Sequence, residues 1–402
     1  MPNQSFTLGV NYWPRRKAMT WWSNFDRGEV CEEFAIIREY GMSLARIFLL
    51  WDDFQPEPDQ VSHDCLDHLT TVCEVAAEQN LKLDVTFFTG HMSGPNWSPR
   101  WLLDDRSRPQ ARQVVSRGRV TSSGYRNPFT DPIALQAERL LLSTIVKLLK
   151  EHPAIGMWNL GNEPDLFAQP PTALQGADWV RTLTELIHSL DGQHPVTCGL
   201  HLDSLLNNNG FRVDQVFRET DVAVMHAYPM YVNWARHPLD REVVPFACAL
   251  TSALCGKPTL MEEFGGCTTP DRGPSQMWAW TAFGQPRQQF MASEDDLAQY
   301  FETVLPKLIE VGATGALLWC FADYAPELWD RPPCDEARHE RFFGLMRPDG
   351  SLKMHADIIR KFAETQPIVK PAARSIDLPM SADEFYRAPA VNTAQLYRDY
   401  IS

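Results

Sequence analysis

The sequence has little positive charge and no apolar run that indicates a membrane span. Its 37 lysine and arginine residues are outnumbered by 51 aspartate and glutamate residues, which gives a net charge of -14. Because a phosphate backbone requires a face rich in lysine and arginine, we expect no nucleic-acid partner. Hydrophobic residues make up 44% and charged residues 22% of the chain, as in ordinary globular proteins. We therefore expect neither disorder nor a membrane partner.

Motifs for metal ions, nucleotides and secretion are also missing. The nine cysteines include no CxxC pair, and no group of His, Asp and Glu residues has the spacing of a metal site. The nucleotide-binding patterns GxGxxG and GxxxxGK are absent as well. Residues 1–5 form neither a basic nor an apolar segment, so no secretory signal is visible. We therefore expect no metal, no cofactor and a cytoplasmic location, where the cysteines stay reduced.

What the chain does have is a regular alternation of strand-like and helix-like segments. The predicted strands cover residues 6–13, 43–50, 81–88, 154–160, 195–201, 221–228, 259–263 and 314–321. Eight such units predict an α/β protein with a single (β/α)8 TIM barrel. Two long aromatic loops, residues 90–131 and the segment after Gly266, interrupt the pattern. We expect residues 1–366 to form the catalytic barrel and residues 367–402 to be a tail packed on it.

Polar and aromatic exceptions occur at the carboxyl ends of these strands, where such a barrel places its active site. They are Asn11, Arg46, His91, Asn162, Glu163, His226, Tyr228, Glu263 and Trp319. Two glutamates without another strong nucleophile indicate acetal chemistry, specifically hydrolysis of a glycosidic bond. The seven other residues are expected to bind the sugar, with Trp319 as a flat platform and Asn162 at the 2-hydroxyl group.

The two glutamates are expected to differ in their protonation. Burial against Trp158 should raise the pKa of Glu163, so that this residue remains protonated and serves as the general acid. The second carboxylate lies on strand seven, where adjacent residues alternate between faces, so only one of Glu262 and Glu263 should reach the pocket. The chemistry of the residues alone leaves that choice open. Arg46, a lone cation in an apolar strand, requires a carboxylate partner inside the fold.

Several short motifs together resemble glycoside hydrolase family 5 of clan A. They are WNLGNEP (158–164), HAY (226–228) and EEFG (262–265), with Arg46 on strand two and Trp319 on strand eight. The resemblance spans roughly residues 6–363. It implies that Glu163 is the acid/base and that Glu263, which directly precedes an aromatic–glycine pair, is the nucleophile.

Two further segments, GVNYWP (9–14) and FGLMRPDG (343–350), are more similar to the mannan-active and exo-acting members of that family. The resemblance implies a retaining β-glycoside hydrolase that acts on a β-linked oligosaccharide, and we expect an exo-acting β-mannosidase on short β-mannosides. The alternatives are an endo-β-1,4-mannanase, a β-glucosidase, a β-galactosidase, an arabinofuranosidase and a carbohydrate-binding barrel without activity. A homo-oligomer is also left open.

Overall fold

Eight parallel strands form the centre of the structure, a computed structural model that describes residues 4–107 and 112–402. The strands are β1 Thr7–Tyr12, β2 Leu44–Leu50, β3 Lys82–Thr89, β4 Ile155–Asn162, β5 Val196–Gly199, β6 Ala223–His226, β7 Thr259–Phe264 and β8 Gly315–Leu318. They pair in the order β5-β4-β3-β2-β1-β8-β7-β6. A parallel bridge between His201 and His226 brings the two outer strands together. The predicted (β/α)8 barrel is confirmed.

A helix follows each strand and covers the outside of the barrel. The helices are α1 Arg27–Glu39, α2 His63–Glu78, α3 Pro132–Leu149, α4 Ala173–Leu190, α5 Val213–Glu219, α6 Val243–Cys255, α7 Glu294–Glu310 and α8 Met354–Glu364. Several of them start at a side chain that accepts hydrogen bonds from free backbone N–H groups, as Asp26 does for α1 and Asp131 for α3. Among the described residues, no helix is long and apolar enough to cross a membrane.

The segment after β7 is a β-hairpin, although the sequence predicts an aromatic loop there. Strand Gln276–Ala282 pairs antiparallel with strand Gln285–Met291. The turn places Phe283 and Gly284 at φ values of 52° and 71°. Two consecutive positive φ values define the tight type I′ hairpin turn, which usually carries Asn-Gly or Asp-Gly. The unusual Phe-Gly pair hid this turn from the sequence analysis.

The long segment between β3 and α3 also contains short strands. Asn96–Trp97, Val114–Ser116 and Arg119–Thr121 form one small sheet, and Leu103–Asp104 pairs with Gly124–Tyr125. Part of the loop predicted here, residues 108–111, lies outside the described residues. The described part forms a folded wall above the carboxyl ends of the strands.

The C-terminal residues lie against the barrel near β5 and α6. A short helix, Ala382–Phe385, precedes a longer one, Pro389–Ile401, which we call the C-terminal helix. The Tyr386 hydroxyl donates a hydrogen bond of 3.0 Å to the backbone oxygen of Ser204. The Tyr397 hydroxyl donates one of 2.5 Å to Asp240. Buried hydrogen bonds of this kind fix the position of the C-terminal helix on the barrel.

Candidate active site

Glu163 ends β4 in an unusual backbone conformation. Its φ of 48° and ψ of 52° lie in the left-handed region, which residues with a side chain rarely adopt. Pro164 follows at once and begins a short helix, Pro164–Phe167. Because such strain is retained where the surroundings impose it, the turn marks Glu163 as a candidate functional residue.

A bulge in β7 turns both adjacent glutamates toward the barrel interior. Met225 of β6 is opposite Met261 of β7, but the next residue, His226, is opposite Glu263, so Glu262 is the extra residue. A bulge breaks the alternation of side chains between the two faces of a strand. Both Glu262 and Glu263 contact Arg46. Of the two, only Glu263 lines the cavity, as the prediction that one of them reaches the pocket requires.

Arg46 of β2 is the centre of the buried site. Its guanidinium donates hydrogen bonds of 2.7 Å to Glu263 Oε1 and 3.0 Å to Asn162 Oδ1. It also lies 3.4 Å from Glu262 and 3.7 Å from Asp84. The expected carboxylate partners of this cation are therefore present, and the fixed fork of the guanidinium sets the distance between them.

His226 connects the two catalytic candidates to Glu262. Its Nδ1 lies 2.9 Å from Glu163 Oε1 and 3.5 Å from Glu263 Oε1, while its Nε2 lies 2.9 Å from Glu262 Oε2. Burial alone would lower the pKa of His226, but the surrounding glutamates raise it to about 10. His226 is therefore an imidazolium that donates one hydrogen bond from each ring nitrogen.

The protonation of the two glutamates differs from the expectation. Burial acts to raise the pKa of Glu163, but the imidazoles of His201, His226 and His91 outweigh burial and lower it. Burial raises the pKa of Glu263 to about 7, although His226 and Arg46 act against the rise. The prediction of a raised pKa for Glu163 was wrong for the free protein, because the sequence did not show that imidazoles surround this carboxylate.

A cavity of about 760 Å³ opens above these residues. Its floor and walls include six of the nine predicted site residues: His91, Asn162, Glu163, Tyr228, Glu263 and Trp319. The β7 hairpin, the segment after β3 and the segment after β8 supply the other walls. Tyr228 donates a hydrogen bond of 2.9 Å to Glu263 Oε2.

The three remaining predicted residues, Asn11, Arg46 and His226, lie below the cavity floor and are fully buried. Asn11 donates hydrogen bonds to the backbone oxygens of Glu262 and Leu318, and its own oxygen accepts one from Arg46. From these positions the three residues do not reach a sugar in the cavity, so the expectation that they bind it was wrong. They hold the carboxylates in place from below because the barrel interior surrounds them.

The cavity also contains residues that the sequence analysis did not select. His201 follows β5 and lines the cavity beside Glu163; the rule that polar residues at strand ends form the site could have found it. Glu340 lies in a short 3-10 helix after β8, and burial raises its pKa to about 8. No periodic pattern marks a residue in such a helix.

Glu163, His226 and Glu263 offer ligand atoms that lie within 4.8 Å of one another, a spacing compatible with a metal ion. The charges around them favour a different interpretation. Arg46 lies 2.7 Å from Glu263, and the His226 imidazolium already donates to Glu163. Because two cations occupy the positions next to these carboxylates, the group is better suited to proton exchange than to metal binding.

A comparison with protein families gives the family of the chain. The family described as "Glycosyl hydrolases family 2, TIM barrel domain" matches residues 109–364. The chain belongs to this family. The family described as "Beta-galactosidase" matches residues 21–170 of the same family 2 barrel.

Two mannan endo-1,4-beta-mannosidases are similar in sequence to this family 2 barrel. Mannan endo-1,4-beta-mannosidase 4 of Oryza sativa subsp. japonica is 25% identical over 273 residues, which are 60% of this chain and 56% of that protein. Mannan endo-1,4-beta-mannosidase A of Hypocrea jecorina is 24% identical over 69% of this chain and 66% of its own length. The chain thus spans about 56–66% of the length of these two relatives.

Solved structures agree with the fold of the family 2 barrel. An exo-beta-1,4-mannosidase from Opitutaceae bacterium strain TAV5 has a TM-score of 0.72 and 24% identity over 90% of this chain and 59% of that one. A GH5_18 variant from Streptomyces cattleya, in complex with Manb1-4GlcNAc, has a TM-score of 0.79 and 19% identity over 99% of this chain and 91% of that one. The resemblance to mannosidase-type members of glycoside hydrolase family 5 is confirmed.

Proposed function

We propose that the protein is a retaining β-glycoside hydrolase that removes terminal mannose units from short β-mannosides. The observation that carries the proposal is the pair of carboxylates at the cavity floor, Glu163 and Glu263, which present oxygens within 4.8 Å of each other. Retaining enzymes hold their carboxyl groups about 5–5.5 Å apart, whereas inverting enzymes need about 6.5–9.5 Å to admit a water molecule. The spacing supports retention.

In the first step, Glu263 attacks the anomeric carbon while Glu163 protonates the leaving oxygen. Arg46 and Tyr228 each donate a hydrogen bond to Glu263, and both bonds favour its ionised form. The acid role requires the protonated form of Glu163, and the hydrogen bond of 2.9 Å between His226 Nδ1 and Glu163 Oε1 holds that carboxyl group in position. In the second step Glu163 acts as the base that activates water, and water releases the sugar from Glu263.

The walls of the cavity support exo action. The β7 hairpin contributes Trp280 and Arg287, and the segments after β3 and β8 contribute Met92 and His339. Walls on these sides favour binding of the end of a sugar chain over its middle. The mannosidase and mannanase names of the relatives favour a β-mannoside as the substrate class. A binding barrel without activity is disfavoured because both glutamates are present and face the cavity.

Initial rates on a panel of glycosides test the substrate class. We expect fast release of 4-nitrophenol from the β-mannoside, with at least tenfold slower release from the β-glucoside, β-galactoside and α-arabinofuranoside, because a site that hydrogen-bonds one arrangement of hydroxyl groups discriminates against the others by about tenfold or more. Mannobiose and Manb1-4GlcNAc should be cleaved, and the viscosity of mannan should stay constant. A rapid fall in viscosity without activity on the aryl mannoside would establish an endo-acting enzyme instead.

The pH dependence of kcat/KM should report the protonation of Glu263. Because this pKa is about 7 in the free protein, kcat/KM should rise with pH through about 7 as the carboxyl group loses its proton. The Tyr228 hydrogen bond lowers that pKa, so the variant Tyr228→Phe should move the rise to higher pH. A rise at the same or a lower pH in the variant would show that another group controls this limb.

We also propose a reducing compartment for the protein, such as the cytoplasm. All nine cysteines are free, and burial raises the pKa of Cys73 and Cys334 to about 12. Thiols with such high pKa values are poor nucleophiles and serve as small apolar residues of the core.

A further inference from the structure

A second cavity lies beside the active-site cavity. It has a volume of about 640 Å³ and runs between the segment after β6 and the C-terminal helix. Tyr231 lines both cavities, so its side chain separates them. We call this second cavity the lateral groove. A molecule that extends from the active site past Tyr231 would enter it.

The chemistry of the lateral groove fits a sugar. Tyr231, with 44% of its surface exposed, and Trp234 supply aromatic rings that can pack against the apolar face of a pyranose. Asn207 and Asn233 supply amide groups, and Arg398 supplies a guanidinium for hydroxyl groups. Within the described chain, no carboxylate lines the groove, so a cationic ligand has no partner there. Aromatic faces beside amide and guanidinium groups suit an uncharged ligand with many hydroxyl groups.

Trp234 shows an unsatisfied hydrogen-bond donor at the groove. Its indole N–H is buried and has no hydrogen-bond partner among the described residues. The ring is held in place by Phe246 and by Tyr397 of the C-terminal helix, with ring centroids 5.8 Å and 4.7 Å away. Because this N–H group is closed off from solvent, the part of Trp234 that the groove presents to a ligand is its ring.

We propose that the lateral groove binds the sugar units on the leaving-group side of an oligosaccharide whose terminal unit occupies the active-site cavity. The inference rests on the proposed function, because an exo-acting site holds the end of the chain and leaves only the leaving-group side to extend outward. The C-terminal helix then contributes one wall of a substrate site. Substrates longer than a disaccharide would gain affinity from this groove.

Filling the groove tests this proposal. Ala394 lies on the groove side of the C-terminal helix, and the variant Ala394→Trp should occupy the space of a sugar ring. The ratio of the KM for mannopentaose to the KM for mannobiose should rise about five- to tenfold, with kcat unchanged, because only binding outside the reacting centre is lost. The matched control is Asp399→Trp on the exposed side of the same helix, and its ratio should stay at the wild-type value.

A milder variant covers the case in which Ala394→Trp does not fold. Trp234→Phe keeps an aromatic ring next to Phe246 and Tyr397 but presents a smaller face to the groove, and the same KM ratio should rise about two- to threefold. If the KM ratio is unchanged in both variants and mannosides are still hydrolysed, the groove does not bind the sugar chain, and the proposed function stands.

Direct binding separates the failure of the groove from the failure of the proposed function. If no mannoside is hydrolysed, the proposed function fails. Calorimetric titration of the wild-type protein and both tryptophan variants with mannopentaose and cellopentaose then shows whether the groove binds a sugar chain. Weaker binding of either pentasaccharide by Ala394→Trp than by Asp399→Trp would support the groove as a sugar site. Equal binding by the two variants, or no binding by the wild-type protein, would overturn it.

Discussion

The variant Glu263→Gln should lose nearly all activity while remaining folded. We expect kcat on the 4-nitrophenyl β-mannoside to fall by about 10⁵-fold, because the amide cannot attack the anomeric carbon and loss of a nucleophile typically costs that much or more. Glutamine has the size of glutamate; its amide oxygen can still accept the hydrogen bond from Arg46, and its NH2 group can donate one to the Tyr228 hydroxyl oxygen. The thermal midpoint should therefore stay close to that of the wild-type protein, and steady-state rates together with calorimetry measure both effects.

The neighbouring residue provides the matched control for that variant. Glu262 is buried below the floor, where it accepts hydrogen bonds from Asn159 and His226. Glu262→Gln should lower kcat by about 10- to 100-fold, through the position and charge of His226 rather than through loss of the nucleophile. If Glu262→Gln were the inactive variant and Glu263→Gln retained activity, the assignment of the nucleophile on β7 would be wrong.

The variant Glu163→Ala should have an effect that depends on the leaving group. We expect hydrolysis of mannobiose to slow by about 10²–10⁴-fold, the usual contribution of a general acid. The first step on the 4-nitrophenyl β-mannoside should be much less affected, because 4-nitrophenolate leaves without protonation. The mannosyl–enzyme should then accumulate, since the base for the second step is missing, and a burst of 4-nitrophenol in stopped-flow measurements would reveal it.

Added azide provides the control for Glu163→Ala. An azide ion needs no general base, so it should restore turnover and yield β-mannosyl azide with the configuration of the substrate. Formation of the α-azide instead would contradict the double-displacement mechanism and the retaining assignment. No restoration and no burst would indicate that Glu163 is not the acid/base.

The barrel and the place of its site could be predicted from the sequence because both depend on local patterns. Eight apolar strands alternate with helices, and a parallel barrel gathers the carboxyl ends of all strands at one face. Polar residues at those ends, such as Asn162 on β4 and Tyr228 after β6, therefore had to lie close together. The structure brings them within the same hydrogen-bonded group around Arg46 and Glu263.

The other features of the site depend on three-dimensional geometry that no local sequence pattern specifies. The bulge at Glu262 changes the side-chain alternation of β7, and it interrupts the register of β7 with both neighbouring strands, β6 and β8. The lowered pKa of Glu163 needs three imidazoles from three different strands or loops. Glu340 reaches the cavity from an irregular segment far along the chain, where periodicity gives no information.

The buried group around Arg46 has a consequence for how the site takes up protons. Four carboxyl groups, those of Asp84, Glu163, Glu262 and Glu263, lie at or just below the cavity floor with two cations, Arg46 and His226. Burial and the charge of Glu262 raise the pKa of Asp84 well above its usual value. Charge balance away from water favours two retained protons, and neutralising any one member redistributes them over the others. Titration curves of this barrel will therefore describe macroscopic states of the whole assembly, and single substitutions will act on all its members together.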